Sequence, residues 1–600
     1  MFRMTKDTRS LAQSRKVNEK VQREAATPTE VLRSADKARD SLEYARAAYL
    51  YGKYLTHYQN ATDIWVQHGH MLKEVGFYEK AAESYERALQ DSPTDADLEL
   101  QIGHLAKIRG LFHDAVEHYS KAIALGHPEA KQISDEIRLI SIPRTAKSTV
   151  LRRPIQIENK VRFYLSSDLG DLSKTGVAEL RGVIGATNYS YSFAQRGFIE
   201  ALAALEIDYV LLPSPEIVAD IREHSDAPIN IHLGFYPPDR IRLLKGAYNI
   251  LCMAWEFERF RTSTEATTHH AFASPDKMLA IIDEIWSPSQ FGSAALRGIT
   301  SRPVYTVASP IEVSPRLKPR RAKRSCEDIQ KEIGELDRIN WIPLAIVPRI
   351  QATMRDEARR RKSSLSSLLL NDLGSDEPIL FCMVFNVHDY RKNLRPLLDA
   401  FVRIAKSWSN AYLLLKINML GEDDYVMNDR LFQHQLSLGN EMFPPLVSDR
   451  VWMTSDTLSS DELGKLYDIS SFYACSAHAE GQNLPLLEAM SRGVVPVTVT
   501  HTAMADYINE SNAITVASEL RPMDPKLVQR YGMPGAHTYY TRGQEIFDKL
   551  KRAIEISDED YAKLSDEAVN TVRDQFSSKV LGKQVREVIQ RAAVEAGLDR

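Results

Sequence analysis

A chain of 600 residues outgrows a single core, and at ordinary domain sizes it holds roughly three to four domains. It is 44% hydrophobic and 26% charged with a formal net charge of -4, the composition of a water-soluble globular protein and one that excludes whole-molecule attraction to nucleic acid. The four cysteines, Cys252, Cys326, Cys382 and Cys475, are widely spaced and form no CxxC pair, which argues against a zinc cluster or a disulfide framework and for a reducing compartment.

The opening stretch "MFRMTKDTRSLAQSRKVNEK" is charged and has no apolar centre, so residues 1–29 read as a disordered basic N-terminus. No run in the chain approaches the ~18 apolar residues of a membrane span. The expectation is a cytoplasmic protein with at most peripheral contact at the inner face of the membrane.

Residues 30–141 carry an internal repeat. A shift of 34 residues places Gly69 on Gly103, Tyr78 on Phe112, Ala81 on Ala115, Tyr85 on Tyr119 and Ala88 on Ala122. Each copy has the apolar spacing of two short helices, with alanines where the helices approach and a proline, Pro93 or Pro128, near the exit. Trp65, Gly69, Tyr78, Ala81, Tyr85, Ala88 and Pro93 resemble the tetratricopeptide pattern. Two copies bury little by themselves, so "DSLEYARAAYLYGKYL" and "EAKQISDEIRLI" are expected to act as a degenerate repeat or as caps. Such a stack either offers a surface to a protein partner or props the next domain.

From Val161 the pattern changes to short apolar runs separated by helical segments. "VRFYLSS", "DYVLLP", "PINIHLG", "YNILCMAWEF", "EIWSPS" and "VYTVAS" fall within a first α/β domain at 155–313. "ILFCMVFN", "AYLLLKIN", "RVWMTS", "SFYACSA", "VVPVTVT" and "AITVAS" fall within a second at 377–573. Strands apolar on both faces and alternating with helices predict parallel sheets, and two Rossmann-like halves in tandem predict a cleft between them. Residues 314–376 read as a basic insertion or linker, with "RLKPRRAKR" and "RRRK" around the apolar "WIPLAIVP". The basic clusters either meet an anionic surface or are simply solvated. Residues 574–600 read as a C-terminal helix that packs back on the first half.

In the first half "GVIGATNYSYSF" reads as a glycine-containing loop before a helix, where Gly185, Ser190 and Tyr191 either approach the phosphate or acceptor of a ligand or form a plain turn. His269 and His270 are adjacent rather than at helical spacing, and "GEDDY" at 421–425 has no evident acidic partner, so no metal site is expected.

The most informative stretch is "SAHAEGQNLPLLEAMSRGVVPV", 476–497. It follows a buried strand, so Ser476 to Asn483 are expected to line the cleft. Pro485 suits the first turn of a helix and Gly493 its stop, which predicts a helix over about Leu484 to Arg492. Its amino end suits a pyrophosphate, and Gly481 admits the ligand backbone-close. Glu480 precedes the helix and Glu488 lies inside it, so the two are not predicted to face each other as a hydrolytic pair. A sugar hydroxyl at Glu480 and a ribose diol at Glu488 are chemically sensible partners.

This stretch resembles the E-x7-E signature of retaining glycosyltransferases of family 4, in which "EGQNLPLLEAMSRGVVPV" is similar to the usual glycine, LPLLEAM helix, glycine, strand arrangement. The resemblance covers about Val161 to Gln590, apart from the insertion, and implies the GT-B fold, two Rossmann-like domains with a central cleft, here preceded by an all-α repeat domain. It implies a hexosyltransferase-type enzyme that uses a nucleoside diphosphate sugar and requires no metal or other cofactor. Glu480, Lys392 and Arg391 are the implied catalytic residues, the last two in "FNVHDYRKN", where Asn386 stands at a place at which many relatives have arginine. Glu488, Gly481, Gln482, Asn483, Leu484, His501 and Thr502 are the implied donor contacts. Trp255 and Glu256, in "YNILCMAWEFERF", are the implied sugar or acceptor contacts, where some relatives use a histidine.

The implied acceptor is a cell-surface glycan (lipopolysaccharide, capsule or exopolysaccharide), free or lipid-linked. A protein acceptor recruited by the repeats is the alternative within the same class. A non-catalytic scaffold that senses nucleotide sugars is the alternative of another class.

Overall fold

The computed structural model describes residues 27–109, 111–141, 161–167, 187–260 except 213, 219, 239 and 240, then 278–313, 323, 325, 327, 329, 332, 334–346, 363–367, 377–418 except 388, and 446–595. Gly185, His269, His270, "GEDDY", "RRRK" and most of "RLKPRRAKR" therefore lie outside the described residues. Among the described residues no helix is long and apolar enough to cross a membrane.

By its own contacts the chain divides into an N-terminal helical unit reaching to Arg144 and an α/β unit behind it. The first consists of consecutive helices: α1 (Pro28–Asp40), α2 (Tyr44–Leu55), α3 (Thr62–Glu74), α4 (Tyr78–Asp91), α5 (Ala96–Ile108), α6 (Phe112–Ala124) and α7 (Ala130–Ser141). The sequence shift has a direct physical meaning here. A Cβ on Gly69 of α3 would stand 2.5 Å from the Tyr85 ring of α4, and one on Gly103 of α5 would stand 2.5 Å from the Tyr119 ring of α6. Only glycine lets a tyrosine lie across the partner helix at that distance. Each tyrosine hydroxyl then reaches a histidine of the same pair, Tyr85 to His70 Nδ1 and Tyr119 to His104 Nδ1, both at 2.8 Å.

The first α/β half contains β1 (Val161–Ser167), α8 (Thr187–Ala204), β2 (Tyr209–Leu211), β3 (Ile229–Phe235), β4 (Tyr248–Cys252), β5 (Glu284–Ser287), α9 (Gln290–Arg297) and β6 (Val304–Thr306). Its strands run parallel in the order β2-β1-β3-β4-β5-β6. Ser190 and Tyr191 do not form the predicted loop: α8 has already begun at Thr187. Tyr191 packs against both apolar clusters of this half, and such tertiary packing overrides the weak helix preference of a Ser/Tyr/Asn-rich run.

The second half contains β7 (Ile342–Ile346), β8 (Ile379–Asn386), α10 (Leu394–Ser407), β9 (Ala411–Asn418), β10 (Leu446–Thr454), α11 (Ser460–Ile469), β11 (Phe472–Cys475), α12 (Leu484–Ser491), β12 (Val495–Val499), β13 (Ile514–Val516), β14 (Glu519–Pro522), α13 (Pro525–Tyr531), β15 (His537–Tyr540) and α14 (Gly543–Glu555). The main sheet has the order β13-β12-β11-β8-β9-β10-β7, parallel except for β7, and β14 pairs with β15 as a separate antiparallel ribbon.

β7 lies inside the stretch read as an insertion. "IPLAI" pairs with β10, Ile342 opposite Met453 and Ile346 opposite Leu446, while Leu336, Ile339, Trp341 and Leu365 pack with Leu380, Tyr412 and Leu414. A short apolar run without periodicity does not distinguish a buried strand from a helix fragment, and only the free edge of β10 decides it.

The last described helices are α15 (Asp558–Phe576) and α16 (Ser578–Glu595). Ala568, Val572 and Phe576 of α15 join the core of the second half, whereas Leu581, Val585, Val588 and Ala592 of α16 join that of the first. A two-point ion pair fixes this return. Arg591 Nε and Nη2 donate to Glu284 Oε2 and Oε1 at 2.8 and 2.7 Å, and Tyr248 and Trp286 also donate to the fully buried Glu284.

Candidate active site

β8 and β11 are neighbours in the second sheet, but the order reverses between them, with β9 and β10 on one side and β12 and β13 on the other. Loops leaving the carboxyl ends of two such strands diverge and open a crevice, the usual ligand position in a doubly wound sheet. Here these loops are 387–393 and 476–483. Each ends on an asparagine in the left-handed region, Asn393 at φ 48° before α10 and Asn483 at φ 63° before α12. Asparagine tolerates this conformation better than most side chains. The loops are sewn together. Asn393 Nδ2 donates to Ser476 O at 3.0 Å, Ser476 Oγ donates to Asn393 O at 3.1 Å, and His478 N donates to Arg391 O at 2.6 Å.

Five charged side chains meet at this seam. Arg391 Nε and Nη2 donate to Asp389 Oδ1 and Oδ2 at 2.8 and 2.7 Å, and Arg391 Nη1 lies 2.7 Å from Glu256 Oε1 of the first half. Lys392 Nζ donates to Glu480 Oε1 at 2.6 Å and stands 3.9 Å from Asp389 Oδ2. The side chains of Lys392 and Glu480 are only 12% and 4% exposed. Burial pulls the Lys392 ammonium down, but Glu480 and Asp389 outweigh it and hold the pKa above the usual lysine value. Burial also raises Asp389, yet Arg391 and Lys392 keep it below the ordinary aspartate range. In Glu256 burial prevails and pushes the carboxyl up against the pull of Arg391. The cations thus stay charged, and the carboxylate oxygens suit hydroxyl donors.

The segment after β12 supports Glu480 from behind. Glu480 N donates to Thr502 Oγ1 at 3.0 Å and Ala503 N donates to Glu480 O at 3.2 Å. Thr502 has φ 53°, a strained conformation for a β-branched residue, of order 1–3 kcal/mol. His501, just before it, is 5% exposed and stacks on Tyr539 with ring centroids 4.0 Å apart.

Glu488 stands apart from Glu480. It lies inside α12 and accepts from Tyr467 OH of α11 at 3.1 Å; burial raises its pKa, opposed by Tyr467, Arg196 and Arg492. α12 begins at Leu484 with Pro485 in its first turn, as the sequence predicts, and its cap is Arg492. Gly481 makes its close approach to the first half: a Cβ there would stand 2.7 Å from Ala254 Cβ and 3.4 Å from Glu256 Oε1. The Gln482 amide is likewise engaged across the halves, with Ser309 N donating to Oε1 at 3.1 Å and Nε2 donating to Ser309 O at 2.8 Å. Trp255 stacks on Phe260 at 3.9 Å and donates from Nε1 to Arg259 O at 3.2 Å, so its ring belongs to the packing of its own loop. Tyr191 sits in α8, away from the five-charge seam in sequence and packed on the first-half cores.

Sequence reasoning missed Asp389, whose signal was its position two residues before Arg391, the spacing of an Asx turn. It also missed Tyr539 and Ser309, which only the tertiary fold brings to the site.

Two Rossmann-type halves with a charged seam between them, and a C-terminal helix returning to the first, define the GT-B architecture. No family model matches the sequence, and no curated protein matches it either. Among solved structures, S. aureus TarM in complex with Fondaparinux, alpha-GlcNAc-glycerol and UDP overlaps 60% of this chain at 9% identity and TM-score 0.35; the chain spans about half of TarM, 55%. A Thermobaculum terrenum O-GlcNAc transferase mutant overlaps 96% of this chain and 98% of its own at 14% identity and TM-score 0.35. An alpha,alpha-trehalose-phosphate synthase (UDP-forming) from Burkholderia vietnamiensis overlaps 69% of this chain and 80% of its own at 11% identity and TM-score 0.38.

Proposed function

We propose that the protein is a retaining glycosyltransferase of the family 4 type, which moves a sugar from a nucleoside diphosphate sugar to a cell-surface glycan. The observation that carries this reading is the Lys392–Glu480 contact at the strand-order reversal, with Arg391 beside it. A lysine and an arginine held charged in a buried crevice suit a diphosphate, and the adjoining carboxylate suits sugar hydroxyls.

In this reading the bond from the anomeric carbon to the diphosphate oxygen breaks, and its electron pair leaves with the phosphate. Lys392 and Arg391 stabilise that charge. The acceptor hydroxyl oxygen bonds to the carbon from the same face, and its proton passes to the departing phosphate oxygen. Glu480 holds the sugar and Glu488 the ribose, so both act by positioning. The protein's own cations meet the leaving charge, and the reaction is expected to continue in chelator.

The helical repeats favour a second reading of the acceptor, a protein docked on α1–α7, with the same chemistry at the cleft. Incubation of the purified protein with UDP-, GDP- and dTDP-sugars, with and without glycan acceptors, tests both. Donor consumption that Glu480→Ala abolishes supports the enzyme. No donor consumed, together with unchanged nucleotide binding in Glu480→Ala, sinks it and favours the sensing scaffold. Removal of Thr62 to Ala130 with loss of transfer to a protein only favours the protein acceptor.

A further inference from the structure

His478 lies two residues before Glu480 and is 4% exposed. Its hydrogen bonds tie the Glu480 loop to two other pieces of chain. Its N donates to Arg391 O at 2.6 Å, which sets the spacing of the two loops that carry the charged seam. Its O accepts from Tyr539 N at 3.4 Å and from Thr538 Oγ1 at 3.0 Å, both on β15. The ring returns to the same strand, with Nδ1 2.6 Å from Tyr539 O and its edge against the Tyr540 ring, centroids 4.7 Å apart. A carbonyl oxygen only accepts, so Nδ1 carries the proton and donates.

A two-stranded ribbon is marginally stable by itself, so β14–β15 fixes His478 only because it is held in turn. Met523, Leu527, Met533 and Ala536, between its two strands, pack in one cluster with Ala479 of the Glu480 loop and Phe257 of the first half. Tyr531 lies against the Phe257 ring at 4.9 Å, Arg259 Nη2 donates to Pro534 O at 2.6 Å, and His537 N donates to Glu258 Oε1 at 2.8 Å. The carbonyl that receives the His478 hydrogen bond therefore belongs to a platform anchored in both halves.

The structure assigns His478 as a positioning residue for the transfer reaction: its bond from Nδ1 to Tyr539 O sets the Glu480 loop against the ribbon. This rests on the glycosyltransferase reading above. Thr502 holds Glu480 by its own N–H, and His478 holds the chain two residues earlier. With that second hold released, the Glu480 carboxylate is no longer kept in register with Lys392. A displacement of about 1 Å in a reacting geometry costs up to about a hundredfold in rate.

The donor assay tests this with whichever UDP-, GDP- or dTDP-sugar the unaltered protein consumes. Rates are normalised to the nucleoside diphosphate sites titrated by calorimetry in the same preparation, which cancels any unfolded fraction. His478→Phe keeps the packing on Tyr540 and removes the donor; kcat is expected to fall by about tenfold or more, with KM for the donor changing by less. An asparagine amide nitrogen falls near the place of Nδ1 and a glutamine amide nitrogen near that of Nε2. His478→Asn is thus expected to restore most of kcat and His478→Gln not. Thr538→Val, of the same shape, removes another bond to His478 and is expected to lower kcat several-fold; it decides the matter if the histidine variants do not fold. Unchanged kcat per site, a loss carried by KM alone, or asparagine no better than glutamine overturns the proposal and leaves the glycosyltransferase reading standing. No donor consumed by the unaltered protein overturns both.

Discussion

Lys392 Nζ stands 2.6 Å from Glu480 Oε1, and the two residues come from loops that leave adjacent strands on opposite sides of the order reversal. Their charges compensate each other in a place where neither is well hydrated. Removing one therefore strands the other. Lys392→Ala is expected to destabilise the α/β unit by about 3 kcal/mol and to abolish donor consumption, whereas Lys392→Met with Glu480→Leu recovers much of the stability without activity. Urea unfolding and the donor assay, read together, separate the two effects; a double variant no more stable than the single one would show that a stranded Glu480 is not the source of the loss.

Gly481 has a narrower role. Its missing Cβ leaves room for Ala254, which a methyl group would approach to 2.7 Å. Gly481→Ala is expected to push the two halves apart and reduce transfer at least several-fold, with a small change in melting temperature. Ala254→Gly in the same chain should restore much of the rate. If it does not, the glycine is required for the ligand and not for closure.

The repeats carry a pH dependence of definite sign. Burial lowers the pKa of His68, His70 and His104 to about 4 in each case, helped by Lys80, Lys73 and Lys107 respectively. In the unfolded chain each titrates near the ordinary value of about 6.5. Between these values the unfolded chain binds more protons, so the contribution is fully present above about pH 6.5 and is lost as pH falls toward about 4. Circular dichroism melts at pH 7.5 and 5 should show the helical unit losing stability in acid. His70→Gln with His104→Gln should flatten that slope; an unchanged slope would place the acid sensitivity elsewhere.

Arg591 holds α16 to the first half through a carboxylate that is fully buried. Arg591→Ala is expected to cost about 3–5 kcal/mol because Glu284 then has no cationic partner, and Glu284→Gln in the same chain should relieve part of it. Limited proteolysis would detect the release as early cleavage within 578–595; equal protease resistance in Arg591→Ala and the unaltered protein counts against the clamp.

Much of the fold was legible because its strands are apolar on both faces and bounded by polar turns, so "VRFYLSS" and "AYLLLKIN" coincide with β1 and β9. α12 was legible from Pro485 and Gly493, which have local backbone reasons. β7 was not, because its only instruction is the free edge of β10, distant in sequence. The same distinction holds at the site. Lys392 and Glu480 sit in local patterns, but the engagement of Gln482 by Ser309 and of His501 by Tyr539 depends on segments that meet only in the folded chain. α8 was misjudged at its start because tertiary burial of Tyr191 outweighs local preference.

The Arg591–Glu284 clamp also orders events in time. The two residues are 307 positions apart, and the α16 side chains that complete the first core are made only after the whole second half. At roughly 5–20 residues per second, a nascent first half waits about 15–60 s with that face uncovered, while the helical repeats, whose contacts are local, can already fold. The first half is thus completed only after the second half has been made, and truncations just before α16 should be as damaging as those within the second half.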